Sequence, residues 1–184
     1  MQKNKPTRGV FITLEGPDGS GKTTHSRLLV QYLQQKNYPV VHTREPGGVA
    51  VAEWVRRLIL KPKTNILPLT ELLLYAASRS QHTAELILPA LKHGKIVVCE
   101  RYSDATMAYQ GYGRGLSVKT IKAIDKIATF GNKPDLTILL DIPVRQGLTK
   151  ARIRNGLKAA DRLEQENIEF HHRVRDGYLA IARR

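Results

Sequence analysis

Apolar residues along this chain alternate between two spacings. Short runs without helical periodicity, Val10-Phe11-Ile12-Thr13-Leu14-Glu15, Tyr38 to Thr43, Lys95 to Glu100 and Leu136 to Asp141, read as buried strands. Between them lie longer stretches with apolar residues three or four apart. Lys22 to Gln35 carries Leu28, Leu29, Tyr32 and Leu33, and Val49 to Leu60 carries Val51, Val55, Leu58 and Ile59, with Trp54 expected to pack. Thr70 is expected to cap a long helix bearing Leu73, Leu74, Ala77, Ala84, Ile87 and Leu88, with Pro89 near its end. Ser117 opens another helix (Ile121, Ile124, Ile127, Ala128) that stops by Gly131, and Pro143 suits the first turn of the next. Glu164 to Arg183 reads as a closing basic helix. Strands alternating with helices predict an α/β/α three-layer fold around a central parallel sheet, in one domain over residues 9–184 behind a flexible basic tail, residues 1–8.

The junction after the first strand carries the clearest chemistry. Gly16-Pro17-Asp18-Gly19-Ser20-Gly21-Lys22-Thr23 fits G-x-x-x-x-G-K-[ST] at every fixed position, between a strand and a helix. Such a P-loop lets backbone N–H groups converge on phosphate oxygens while the helix N-terminus adds positive potential. Lys22 is expected to reach the β- and γ-phosphates and the Thr23 hydroxyl to ligate Mg²⁺. Glu100 ends an apolar strand in the manner of a carboxylate that organises Mg²⁺ and its waters, whereas Glu15 reads as a supporting residue.

Two further polar clusters leave strand ends, Arg44-Glu45-Pro46-Gly47-Gly48 and Glu100 to Gln110, the second at the head of a polar stretch, Arg101 to Gly115. Parallel strands bring all three to one rim, where open sheets bind ligands. Arg44, Arg79 and Arg101 are candidates to hold an acceptor phosphate, since a guanidinium fork matches its oxygens; a surface charge is the alternative for each. Tyr75 lies four residues before Arg79, on the same helical face, and either stacks on a base or packs in the core. Lys150, Arg152, Arg154 and Arg162 gather around Asn155-Gly156, as either a lid over phosphates or a solvated basic face.

Composition narrows the partners. Thirty basic residues against 16 acidic give +14, which favours anionic ligands. The basic residues are scattered and aromatic residues make up only 6%, which argues against a platform for single-stranded nucleic acid. The single cysteine, Cys99, sits in an apolar run and excludes an intramolecular disulfide. The N-terminus lacks an apolar signal core and no run reaches membrane-span length, so a cytoplasmic protein is expected. His171 and His172 are adjacent and point to different sides of a helix, which disfavours a metal site. Asn132-Lys133-Pro134-Asp135 imitates the guanine-reading N-K-x-D motif but precedes its strand, and no D-x-x-G element follows the P-loop.

Taken together, Glu15 to Thr24, Arg44 to Gly48, Tyr75-Ala76-Ala77-Ser78-Arg79, Glu100-Arg101-Tyr102 with Ala108-Tyr109-Gln110-Gly111, and Asp161-Arg162-Leu163-Glu164 make the chain resemble the bacterial thymidylate kinases over nearly its whole length. That resemblance implies γ-phosphoryl transfer from ATP to dTMP with Mg²⁺, in a homodimer that binds neither membrane nor specific nucleic acid. It implies that Gly16 through Thr24, Thr24 included, hold ATP. Asp18 then meets the deoxyribose 3′-OH region and the metal environment, Arg44, Glu45, Pro46, Arg79 and Arg101 surround the acceptor phosphate, and Tyr75 stacks on thymine. Thr106 and Gln110 contact the base, and Tyr109 packs on the sugar. Gly19 departs from the subgroup with a catalytic arginine in the P-loop, so Arg152 and Arg154 are expected to supply that charge. Glu100 stands where the family usually has Asp, and Ala105 where Ser is frequent. The final strand and helix that usually cover the adenine are not in the sequence through Arg184. Two other readings are a kinase with a different acceptor and a non-catalytic nucleotide- or nucleic-acid-binding protein.

Overall fold

The computed structural model describes residues 8–155 and 160–183. Four strands form one all-parallel sheet: β1 (Phe11–Glu15), β2 (Val40–Arg44), β3 (Ile96–Glu100) and β4 (Leu136–Leu139), in the order β2-β3-β1-β4. β1 lies opposite β3 with Phe11 beside Val97 and Leu14 beside Glu100. The two central strands alternate in the way a doubly covered sheet requires. Phe11, Val97 and Cys99 enter one core with Ile87, Leu91 and Tyr102, while Leu14 and Val98 enter another with Val30. The Tyr102 ring meets Phe11 edge-on at 4.9 Å. Burial also explains Cys99, whose thiol is pushed well above its ordinary pKa and is inert.

Among the described residues eight helices connect or cover these strands: α1 (Lys22–Gln35), α2 (Ala50–Leu60), α3 (Pro68–His82), α4 (Leu88–Lys92), α5 (Ser103–Thr106), α6 (Val118–Ala128), α7 (Val144–Asn155) and α8 (Ile168–Ala182). Between β1 and β3 the connections diverge: β1 leads to β2 on one side, and β3 leads to β4 on the other. The P-loop and the Glu100-Arg101 junction therefore flank the topological switch point.

Several expectations need correction. The long helix starts at Pro68, not Thr70, because proline suits the first turn and its absent N–H costs no helical bond there. It then runs through a π-type turn, Thr83–Ile87, into α4. The polar stretch Arg101 to Gly115, given no element from the sequence, is mostly helical: α5 continues into a second π-type turn, Met107–Gly113. The last helix begins at Ile168 rather than Glu164, where the Asn167 side chain accepts from the Phe170 N–H at 2.8 Å. Trp54 does not pack; it is 61% exposed, and Leu73 and Ile127 also face outward. Arg8, assigned to the tail, donates to Asp135 at 2.8 and 2.9 Å. Asp135 also accepts from the Phe11 N–H at 2.7 Å, so the N-K-x-D imitation serves the start of β1. Residues 1–7 lie outside the described set.

Candidate active site

The P-loop turns on glycine backbones that other residues cannot copy. Gly19 has φ +72°, and an added Cβ would collide with the Gly147 carbonyl; a Cβ on Gly147 would strike the Asp18 carbonyl in return. The loop thus rests backbone to backbone on α7, and Gly147, overlooked in the sequence, is half of that contact. α1 begins directly after Gly21 with no side-chain cap and no acidic residue in its first turn, so its N-terminal potential remains directed at the loop.

Lys22 is buried under the loop. Its Nζ donates to the carbonyls of Gly16 (2.9 Å) and Pro17 (2.6 Å) and to Ser20 Oγ (3.3 Å). Burial and the neighbouring Arg101 charge lower its pKa to about 7 despite Asp18, Glu15 and Glu100. At the next residue the Thr23 hydroxyl donates to Glu100 Oε2 at 2.6 Å, and about a turn later Ser26 Oγ donates to Oε1 at 2.7 Å. His42 Nε2, 3.2 Å from the same Oε1, completes this grouping. A hydroxyl and a carboxylate converging beside a phosphate cradle form a hard oxygen donor set that suits Mg²⁺. Among the described residues no group of three or more His, Cys, Asp and Glu could hold a metal.

Arg101 is the centre of the second half. It follows β3 with φ +68°, an unusual backbone for a side chain of this size. Its guanidinium reaches Gly16 O (2.9 Å), Asp18 Oδ1 (2.6 Å), Tyr109 OH (3.1 Å) and Tyr178 OH (2.7 Å). Tyr109 OH also donates to Asp18 Oδ2 at 2.8 Å. Burial alone would raise the Asp18 carboxyl, but Arg101, Lys22 and this hydroxyl outweigh it and hold the group at about 2. Glu15 shows the opposite balance. Burial, reinforced by Asp104, raises it to about 7, although it accepts from the Tyr102 N–H at 2.6 Å. Tyr178 on α8, another residue without a sequence motif, links Arg101 to Glu15 Oε2.

A cleft of about 600 Å³ gathers these groups, and Asp18 through Thr24, Arg44, Glu45, Pro46, Tyr75, Arg79, Glu100, Arg101, Thr106, Tyr109 and Gln110 all line it. Gly16 and Pro17 form the root of the loop behind it. The arginines differ sharply. Arg44 is half exposed and pairs with Glu53 at 2.9 Å. Arg79 is buried, bonded to Glu45 (2.8 Å), Asp125 (2.8 Å) and the Tyr102 carbonyl (2.9 Å). Glu45 spends its other oxygen on His82 at 3.0 Å, so Glu45 and Arg79 form a fixed wall of the cleft. Neither Asp125 nor His82 carried a sequence signal for this role. Lys150, Arg56, Asp161 and Glu164 also line the cleft.

The arginine-rich segment separates. Arg152 is exposed on α7 and is not among the cleft-lining residues. Arg154 has its side chain outside the described set. Arg162, grouped with them by sequence, instead donates to Glu71 at 2.5 Å and to the Ile59 carbonyl at 2.8 Å, because Glu71 is a buried carboxylate in need of cations.

Comparison with known proteins decides the family. The model for thymidylate kinase matches residues 14–184. The chain belongs to the thymidylate kinase family. It is 49% identical over 178 residues to the thymidylate kinase of Pelotomaculum thermopropionicum, covering 96% of this chain and 82% of the relative. It is 51% identical over 177 residues to that of Syntrophotalea carbinolica, covering 94% and 82%. A crystal structure of thymidylate kinase from Ehrlichia chaffeensis superposes with a TM-score of 0.78 at 38% identity, covering 96% of this chain and 87% of that one. The family places the α/β P-loop kinase fold and the phosphate cradle in one frame.

Proposed function

We infer that this thymidylate kinase family member transfers the γ-phosphoryl group of ATP to dTMP, giving dTDP and ADP on the way to dTTP. The observation that carries the reading is a P-loop and a second set of arginines lining one cleft, with Arg101 bonded to the loop itself. A phosphate oxygen of dTMP is already anionic near neutral pH and needs no strong base. It attacks the γ-phosphorus while the bond to the β-bridging oxygen breaks and its electrons leave with ADP. The main barrier is repulsion between donor and acceptor charges, which positioned cations relieve. Lys22 and the P-loop N–H groups take the donor phosphates, and Arg44, Arg79 and Arg101 the acceptor phosphate. Thr23 and Glu100 would hold Mg²⁺, which when bound neutralises phosphate charge. Asp18 holds Arg101 in place, Tyr75 stacks on the base, and Tyr109 walls the sugar. Arg152 and Arg154 are proposed to approach from α7 in the working state. Use of ATP and a nucleoside monophosphate supports a cytoplasmic location.

Outward-facing Val51, Trp54 and Leu58 on α2, with Leu69 and Leu73 on the adjoining α3, support a homodimer formed through these helices. No described helix is long and apolar enough to cross a membrane.

The test is ADP release with ATP and Mg²⁺, with dTMP, dUMP, UMP, CMP, AMP and GMP offered in parallel. Turnover selective for dTMP is expected. Turnover with another acceptor overturns the thymine site, and salt-sensitive DNA binding without turnover supports a binding protein instead.

A further inference from the structure

Glu71, in the first turn of α3, is completely buried and accepts four hydrogen bonds. Oε1 takes Gln110 Nε2 at 2.8 Å and Arg114 Nε at 3.2 Å; Oε2 takes Arg114 Nη2 at 3.1 Å and Arg162 Nη2 at 2.5 Å. Burial favours the neutral acid, but these donors outweigh it and the carboxyl stays below its ordinary range. An ionised carboxylate only accepts. Gln110 must therefore turn its NH₂ toward Glu71, since the flipped amide would set its own oxygen against a carboxylate oxygen.

This fixes what the cleft meets. Gln110 is almost wholly buried yet lines the cleft, and among the described residues nothing donates to its Oε1. One turn earlier, Thr106 lines the same wall, and its buried Oγ1 has no hydrogen-bond partner. A committed acceptor beside a free hydroxyl matches an imide edge, where an N–H donor sits next to a carbonyl. Thymine and uracil present that edge at N3; cytosine presents an acceptor at N3 and an amine beside it.

We infer that Glu71 is a positioning residue that locks the Gln110 amide with its carbonyl toward the acceptor base and so makes the cleft selective for imide pyrimidines over cytosine. The inference rests on the thymidylate kinase reading and extends it to a residue that does not line the cleft. A site built around a committed polar group rejects the mismatched base because that group is left unpaired.

The experiment compares kcat/KM for dTMP and dCMP in the wild type and in Glu71→Gln, whose neutral amide no longer dictates the orientation of Gln110. The dTMP-over-dCMP ratio is expected to fall at least about tenfold, with the dTMP loss in KM rather than kcat. An unchanged ratio in a variant with a cooperative thermal transition overturns the proposal. Should Glu71→Gln not fold, the ¹⁵N side-chain amide of Gln110 is read in the wild type, identified by its loss in Gln110→Met. Amide protons that exchange slowly and keep their shifts when dTMP binds are expected. Signals at the free-glutamine position, or a proton shift showing that the NH₂ donates to the base, overturn it. A wild type without dTMP turnover defeats the functional reading while leaving the amide orientation to be judged by the same spectra.

Discussion

At the scale of single residues, the site stores its readiness in displaced titrations. Lys22, held at about 7 by burial and by Arg101, is mostly neutral at pH 8 and gains a proton when triphosphate arrives beside it. Calorimetry of MgATP binding at pH 8 in buffers of different ionisation enthalpy is expected to show uptake approaching about one proton more than in Lys22→Met, and no such difference at pH 6. Equal uptake in the two proteins would remove Lys22 from the cradle. Lys22→Ala is expected to keep the fold and lower kcat at least about 100-fold. Glu15 gives a stability test of the opposite charge type. Its folded pKa of about 7 lies above the ordinary 4.5, so its contribution is complete below 4.5 and declines as pH rises through 7. Thermal midpoints between pH 5 and 8 should therefore slope less steeply downward in Glu15→Gln than in the wild type. Residues with motif spacing, such as Lys22, Thr23 and Arg101, were legible because their chemistry is local. Glu71, His82, Asp125 and Tyr178 were not, since their partners lie 39, 37, 46 and 77 positions away or more.

At the scale of elements, the short apolar runs of β1 and β3 and the strand–glycine–helix order of the P-loop were plain in the sequence, and the sheet follows them. The two π-type turns were not, because a π turn differs from an α turn by one residue and leaves the apolar spacing almost unchanged. One of them carries Tyr109 and Gln110. The contact of the P-loop with α7 was equally hidden, since Gly147 shows only as a glycine inside a helix. Gly147→Ala is expected to cost about 1–3 kcal/mol in denaturant unfolding, as an added methyl does in a closed contact, and to weaken ATP binding. Wild-type stability and affinity would show that the loop can move off the helix freely.

At the scale of the whole molecule, the periodicity of α2 marked Trp54 for packing because apolar residues stand on both sides of the helix, Ala52 and Ile59 buried within the chain and Val51, Trp54 and Leu58 facing outward, where the proposed second copy would cover them. Trp54→Lys is expected to shift the mass measured by light scattering from dimer to monomer; an unchanged mass would place the interface elsewhere. The surplus of +14 acts over the entire surface, and the rate of nucleotide association should fall as salt rises.

The reach of α8 into the site bears on how the protein comes into being. Tyr178 holds Arg101 and Glu15, residues from β3 and β1, so the amino-terminal two-thirds of the chain cannot finish its own centre. A ribosome releases the P-loop well before the tyrosine that steadies it. The hydrogen bonds that join Arg101 to Glu15 through Tyr178 are therefore absent from a nascent chain until α8 emerges.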